Sequence, residues 1–190
     1  MRTIMFDIDG ILLDNMSIYL EVLRENHGIN KTAEDLRCWN LEEALGLPRE
    51  IINDAYKYMT DNKLHEVLKP VKDIEKWYHN ICGLFDVVVH YTNRHLLNAQ
   101  QTRNCSDKYN FRHNQLIFSD LNYGKVNAGF DVAVEDNLDC AIQLRLSGCP
   151  KVYLLDYKYN RSKIEYEGII RFGVNTDEPY KELWEILKNG

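Results

Sequence analysis

Asp7 and Asp9 lie at the end of the apolar segment Thr3–Ile8, and Gly10 follows them. Two carboxylates separated by one residue on an extended segment point the same way, so they can share a cation. Gly10 lets the chain turn sharply there without steric cost. Mg²⁺ prefers oxygen ligands and retains several waters, so one or two carboxylates plus a substrate phosphate would suffice. The pattern indicates a magnesium site, and an acidic exit from a strand is the alternative.

Three further features have the same placement, after an apolar segment and before a predicted turn or helix. Thr92-Asn93-Arg94 follows Val87–Tyr91, where a hydroxyl and backbone N–H groups can bind an anion or cap a helix. Lys125 could neutralise both a phosphate and a nucleophilic carboxylate, or simply be solvated. Glu135 and Asp136 form a second acidic pair, which could bind a cation or complement a helix dipole.

These candidate residues can form one site only if the strands that precede them lie side by side in a sheet. The predicted strands are Thr3–Ile8, Phe85–Tyr91, Gln115–Phe118, Phe130–Val134 and Lys151–Leu155. Their nearly continuous apolar composition is typical of a parallel sheet that is buried on both faces. A predicted helix over 137–147 alternates with the later strands, which favours a doubly wound α/β fold. Such a sheet places its ligands at the carboxyl ends of its strands.

About seventy residues separate the first two strands, far more than one crossover helix needs. Met16–His27 has helical periodicity, Thr32–Asp35 is typical of a helix start, and Pro48 suits the first turn of another helix. We therefore expect residues 15–70 to form a helical cap that is inserted into a core of residues 1–14 and 71–190. Helices are also predicted over 72–80 and 177–188.

The composition restricts the possible partners and compartments. Lys and Arg total 23 against 29 for Asp and Glu, a net charge of −6 that disfavours nucleic acid as a partner. Five cysteines without a C-x-x-C pair predict a reducing, cytoplasmic location and no zinc site. No apolar run is long enough for a membrane span. The sequence does not decide the oligomeric state, and a homodimer is possible.

The order Asp-x-Asp-Gly, strand-Thr, Lys, strand-Glu-Asp resembles the four motifs of the haloacid-dehalogenase superfamily, from Ile4 to about Asn160. By this resemblance the fold is a Rossmann-like parallel sheet with a small helical cap inserted after the first strand. The second aspartate, Asp9, is the mark of the phosphatase branch.

Finer features resemble the 5′(3′)-deoxyribonucleotidases (deoxy-type C 5′-nucleotidases). They are Trp39-Asn40, Leu64–Pro70, the ten-residue step from Lys125 to Glu135, and Lys151–Arg161. Asn93-Arg94 follows Thr92 where the animal enzymes differ, which leaves nucleotide selectivity open. Base, sugar and 5′ or 3′ phosphate are open as well.

The resemblance implies a Mg²⁺-dependent phosphomonoesterase with an aspartyl-phosphate intermediate. Asp7 would be the nucleophile and a metal ligand, and Asp9 the general acid and base, with its backbone carbonyl on the metal. Asp136 would bind the metal directly, and Glu135 directly or through water. Thr92, Asn93 and Lys125 would hold the phosphoryl oxygens, Thr92 and Lys125 also acting in catalysis.

Trp39 is the candidate for binding a nucleotide base. Tyr56 and Tyr58 also lie in the predicted cap, and aromatic rings stack on bases, although filling the core of a small helical domain is the commoner role for any one of them. The alternatives are a phosphatase for another small phosphate ester or a nucleic-acid 3′-phosphate, and a catalytically silent binding protein of the same fold.

Overall fold

A six-stranded sheet forms the centre of the structure, a computed structural model that describes residues 1–119, 125–126, 128–162 and 164–190. The strands are β1 Thr3–Phe6, β2 Leu13–Asp14, β3 Lys69–Pro70, β4 Val87–Thr92, β5 Gln115–Phe118, β6 Val132–Glu135, β7 Lys151–Leu155 and β8 Ile169–Phe172. The helices are α1 Asn15–His27, α2 Leu41–Leu45, α3 Arg49–Asp61, α4 Ile74–Cys82, α5 Ala99–Lys108, α6 Leu138–Leu146 and α7 Pro179–Asn189.

The large sheet has the strand order β5-β4-β1-β6-β7-β8, and every neighbouring pair is parallel. The chain runs from β1 outward through β4 to β5 and then crosses to β6 on the other side of β1. The strand order therefore reverses at β1, and the crevice at such a reversal is where open α/β sheets bind ligands. The predicted α/β, Rossmann-like fold is confirmed.

The five predicted strands are all present, with ends shifted by up to two residues. β1 stops at Phe6, so Asp7 and Asp9 lie beyond it, whereas β6 extends to Glu135. The prediction missed β8, which pairs in parallel with β7 although no α-helix lies between them in the described residues. A segment that joins neighbouring parallel strands without a helix gives no alternation signal.

The helices between β1 and β4 depart from prediction in three places. Thr32 begins only a 3₁₀ turn, Ala33–Asp35, whose capping box is closed by Thr32 and Asp35. α2 was not predicted; it begins because the Asn40 side chain accepts hydrogen bonds from the backbone N–H groups of Glu42 and Glu43. The helix predicted over 72–80 begins later, at Ile74, since Lys72 has a φ of 46°.

Helices α1, α2 and α3 enclose a hydrophobic cluster of their own, which is distinct from the two clusters against the sheet. β2 and β3 pair antiparallel, with Leu13 opposite Pro70 and Asp14 opposite Lys69. This short ribbon lies at both predicted boundaries of residues 15–70, and the division into core and cap stays a prediction. None of the described helices is long and apolar enough to cross a bilayer.

The C-terminal helix α7 is attached to the core through Asp73, just before α4. The buried Asp73 carboxylate accepts hydrogen bonds from the backbone N–H groups of Tyr180 (3.1 Å) and Lys181 (3.3 Å), which belong to the first turn of α7. The side chain thus satisfies donors that a helix start leaves unpaired.

We expect Asp73→Ala to lower the free energy of unfolding by about 1–3 kcal/mol, because two N–H groups lose their acceptor. Urea unfolding of purified protein measures this change. Glu75→Ala, an exposed change two residues away, is the control and should stay within about 0.5 kcal/mol of wild type. Equal losses in the two variants would contradict the capping role of Asp73.

Candidate active site

A cavity of about 720 Å³ lies between the carboxyl ends of the central strands and the helices α1 to α3. Asp7, Asp9, Lys125 and Glu135 line it on the sheet side. Trp39 and Tyr56 are among the side chains that line it on the side of the inserted helices. Its size falls within the range of small-molecule sites, which is about 300–1,000 Å³.

Lys125 holds two carboxylates at the floor of this cavity. Its Nζ lies 2.6 Å from Asp7 Oδ1 and 2.5 Å from Glu135 Oε1, and all three side chains are buried. The other oxygen of Glu135, Oε2, accepts hydrogen bonds from the backbone N–H groups of Asp136 and Asn137. Glu135 is thus occupied on both oxygens, while Asp7 has an oxygen not used by Lys125.

Asp136 completes the acidic cluster. Its Oδ2 accepts a hydrogen bond of 2.5 Å from the Tyr159 hydroxyl, and its buried Oδ1 has no partner among the described residues. Gly10 passes so close that a Cβ there would collide with the Asp136 carboxylate, and its φ of +79° also favours glycine. Oxygen atoms of Asp7, Glu135 and Asp136 lie within 4.8 Å of one another.

These contacts fit a hard divalent cation. The donors are all oxygens, one of them is buried without a partner, and three carboxylates face a single ammonium group. Mg²⁺ is bound by such oxygen sets, often through only one or two carboxylates. Asp7 and Asp136 could contact the ion directly, and Glu135 is better placed to support Lys125 and the loop.

Burial and mutual repulsion perturb the ionisation of this cluster. Burial raises the pKa of Asp7 to about 7; Lys125 opposes the rise, and Glu135 and Asp9 add to it. The pKa of Asp136 is also raised, by burial first and then by Asp7 and Glu135. Burial alone would lower the pKa of Lys125, but the carboxylates of Asp7 and Glu135 raise it, so the ammonium stays charged.

The Asp9 side chain points to a different partner from that of Asp7. Its two oxygens accept hydrogen bonds from Nε (2.8 Å) and Nη2 (2.6 Å) of Arg94, a bidentate ion pair. Sequence reasoning noted Arg94 as a departure from the family pattern but gave it no contact. A pair of residues 85 positions apart leaves no local pattern that could have predicted it.

Thr92 and Asn93 lie at the end of β4, beside the cluster. The Thr92 hydroxyl is buried and accepts a hydrogen bond from the Arg94 N–H, so its own proton remains available to a ligand. Asn93 lines the cavity and its Oδ1 accepts a hydrogen bond from the Ser119 hydroxyl. Thr92 is not among the residues that line the cavity; its link to the site is Arg94, which contacts both the Thr92 hydroxyl and the Asp9 carboxylate.

Trp39 lies at another part of the same cavity and is 45% exposed. Its ring is 5.5 Å from the ring of Tyr159, whose hydroxyl binds Asp136, so one side chain separates Trp39 from the acidic cluster. Of the other aromatics considered, Tyr56 lines the cavity, whereas Tyr58 is exposed and does not.

Two polar residues of the cavity region had no assigned role in the sequence analysis. Asn160 donates hydrogen bonds to the backbone carbonyls of Asp136 and Leu155, both 2.7 Å, and so joins the loop after β6 to β7. His65 lines the cavity, and burial lowers its pKa to about 4. The segment that contains Tyr159 and Asn160 was noted only for its resemblance.

Residues 1–171 match the model of the family described as 5′ nucleotidase, deoxy (pyrimidine), cytosolic type C protein. The chain belongs to this nucleotidase family. The resemblance to nucleotidases that the sequence motifs indicated is confirmed, and the fold is shared with haloacid-dehalogenase-type hydrolases. No curated protein sequence matches it.

Solved structures share its fold at low sequence identity. A putative β-phosphoglucomutase from Thermotoga maritima is 18% identical with a TM-score of 0.60, and the match covers 98% of this chain and 100% of that one. YfnB from Bacillus subtilis, a putative haloacid-dehalogenase-type hydrolase bound to magnesium, is 14% identical (TM-score 0.61, 98% of both chains). L-2-haloacid dehalogenase from Xanthobacter autotrophicus is 10% identical (TM-score 0.63, 99% and 98%).

The raised pKa of Asp7 predicts how stability depends on pH in EDTA. The pKa of Asp7 is about 7 in the folded protein and 3.8 when the group is unperturbed, as in the unfolded chain. Protonation of Asp7 therefore stabilises the folded state. This contribution to the free energy of unfolding is fully present below pH 3.8 and is lost as pH rises through 7. We expect the free energy of unfolding of Asp7→Asn, relative to wild type, to gain roughly 2–4 kcal/mol between acidic and mildly alkaline pH. Urea unfolding at several pH values measures it, and a difference independent of pH would contradict the assignment.

Proposed function

We propose that the chain is a magnesium-dependent phosphomonoesterase that hydrolyses (deoxy)ribonucleoside monophosphates to nucleoside and phosphate. The observation that carries the proposal is the buried cluster in which Lys125 bridges Asp7 and Glu135 while Asp136 keeps an unpartnered oxygen. The cluster lies at the reversal of strand order and opens into a cavity of nucleotide size. The family description, which names a cytosolic nucleotidase, supports the substrate class and a cytoplasmic location.

Asp7 supplies the nucleophile in this proposal. The oxygen that is not held by Lys125 attacks phosphorus, and the bond to the leaving oxygen breaks, which gives an aspartyl-phosphate. Asp9 donates a proton to the leaving sugar oxygen. In the second step Asp9 takes a proton from water as that water attacks phosphorus, and phosphate and the Asp7 carboxylate are released.

The remaining polar groups bind and orient the phosphoryl oxygens. Thr92 offers its free hydroxyl proton, Asn93 its amide group, and Lys125 an ammonium that faces Asp7. Mg²⁺ on Asp7, Asp136, the Asp9 backbone carbonyl and Glu135, directly or through water, would offset the repulsion between an anionic nucleophile and an anionic phosphate.

The aromatic side chains favour a ligand with a flat ring. Trp39 is half exposed toward the cavity, and Tyr159 connects it with the phosphate end. A nucleoside monophosphate has its charged group and its base at opposite ends, which matches a cavity with carboxylates and Lys125 at one side and Trp39 at another. The net charge of −6 disfavours a polynucleotide end. That two copies of the chain form a homodimer stays a prediction.

The first test is phosphate release from a panel of deoxyribo- and ribonucleoside 5′- and 3′-monophosphates, with Mg²⁺ or with EDTA. We expect turnover that requires Mg²⁺, and a loss of at least about a thousandfold in Asp7→Asn. Asp107→Asn, an exposed change on α5, is the matched control and should turn over normally.

Near-normal activity of Asp7→Asn would refute the assigned nucleophile, and activity in EDTA would refute the metal requirement. Hydrolysis of p-nitrophenyl phosphate but of no nucleotide would favour another small phosphate ester. Folded protein inactive on every ester would favour a catalytically silent binding protein.

Trp39→Ala tests the base site. We expect KM for nucleoside monophosphates to rise at least about fivefold, because stacking on a base is worth about 1–3 kcal/mol, with a much smaller change for p-nitrophenyl phosphate. Tyr58→Ala is the control, since Tyr58 is similarly exposed at 41% but does not line the cavity. Equal changes for both substrates in Trp39→Ala would rule out stacking.

A further inference from the structure

We infer that Arg94 is a positioning residue for catalysis: its guanidinium fixes the orientation of the Asp9 carboxylate toward the leaving oxygen. The inference rests on the proposed function, specifically on proton transfer by Asp9. It gives a role to a residue that had none in the proposed mechanism and that is not part of the acidic cluster. Arg94 is not proposed to contact the reacting atoms.

The geometry of the pair is well suited to this role. Nε and Nη2 of Arg94 donate to Oδ2 (2.8 Å) and Oδ1 (2.6 Å) of Asp9. Two parallel hydrogen bonds therefore join the planar guanidinium to the planar carboxylate. Both residues line the cavity, but the Arg94 side chain is only 3% exposed, whereas that of Asp9 is 18% exposed. The buried partner thus holds the one that a substrate can reach.

Arg94 is itself held in place from two sides. Its backbone N–H donates to the Thr92 hydroxyl (3.1 Å), and its Nη1 donates to the Thr102 hydroxyl (3.1 Å). The Thr102 hydroxyl in turn donates to the Asn98 carbonyl oxygen (2.8 Å), at the start of α5. These contacts tie the orientation of Asp9 to β4 and to α5.

The ion pair leaves Asp9 able to transfer a proton. A carboxylate has about four lone-pair sites on its two oxygens, and Arg94 uses two of them. A free site can carry the proton that goes to the leaving oxygen and accept one from water afterwards. Proton transfer needs heavy atoms within hydrogen-bond reach, so a carboxylate that is free to rotate would be less effective.

The test compares a poor leaving group with a good one. A sugar alkoxide needs a proton as it leaves, whereas p-nitrophenolate departs with little help. With Mg²⁺ present, we expect Arg94→Gln to lower kcat for a nucleoside monophosphate about 10- to 100-fold and kcat for p-nitrophenyl phosphate by much less, with small changes in KM. Arg94→Lys keeps the charge without the planar fork, so it should restore only part of kcat.

A double-mutant cycle separates an effect through Asp9 from a direct effect. In the Asp9→Asn background we expect Arg94→Gln to cost less than about threefold in kcat, because the group that it positions no longer transfers a proton. An undiminished cost in that background would mean that Arg94 acts on the substrate directly, and would overturn the inference.

Thr102→Val removes the hydroxyl that holds Nη1, and Thr102→Ser keeps it. We expect the leaving-group-dependent loss in Thr102→Val and its recovery in Thr102→Ser, so this pair carries the test if Arg94→Gln does not fold. Arg103→Gln, an exposed change on the same helix, is the control for charge and should match wild type.

The outcomes distinguish this inference from the proposed function. If Asp9→Asn shows a leaving-group-dependent loss and neither Arg94→Gln nor Thr102→Val does, the inference alone is wrong. If Asp9→Asn lacks that dependence, or if folded wild type hydrolyses neither ester, the role of Asp9 fails and the inference fails with it. Faster turnover in Arg94→Gln would also overturn it.

Discussion

The burial of three carboxylates around one ammonium group is the constraint on which the rest of the site depends. Asp7, Glu135 and Asp136 are almost inaccessible to solvent, and Lys125 balances only part of their charge. Burying unpaired charge is costly, and the raised pKa of Asp7 is the consequence of that cost. The arrangement is unfavourable as a purely structural device, which is why a role in binding a cation is the simplest physical explanation for it.

The fold keeps these charges together because they follow strands that are neighbours in space. β1 lies between β4 and β6, so the loops after these three strands meet although the chain takes 129 residues to pass from Asp7 to Asp136. Short contacts then fix the loops. Gly10 lets the loop after β1 pass close to Asp136, and Asn160 binds the loop after β6 to β7. The rigid sheet therefore supplies the positions, and the loops supply the functional groups.

The sequence was sufficient to predict the parts of this arrangement that have a local pattern. Strand runs such as Lys151–Leu155 and the acidic pairs at strand ends needed only composition and order along the chain. β8 was missed because no helix separates it from β7 in the described residues, and α2 because Asn40 starts a helix only five residues long. The pairing of Arg94 with Asp9 could not be predicted, since it depends on how the turn after β4 folds back toward β1.

In the proposed function, chemistry and selectivity have separate physical origins in this cavity. The charged groups are attached to the sheet, where backbone pairing and burial leave them little freedom. Trp39 and Tyr56 belong to the helical segment, which has a hydrophobic cluster of its own and is joined to the sheet near the β2–β3 ribbon. A change in the helical segment can therefore alter the leaving group that fits without disturbing the carboxylates. Arg94 departs from this division, because it lies on the sheet side yet, in the proposed mechanism, orients Asp9, the carboxylate that faces the leaving group.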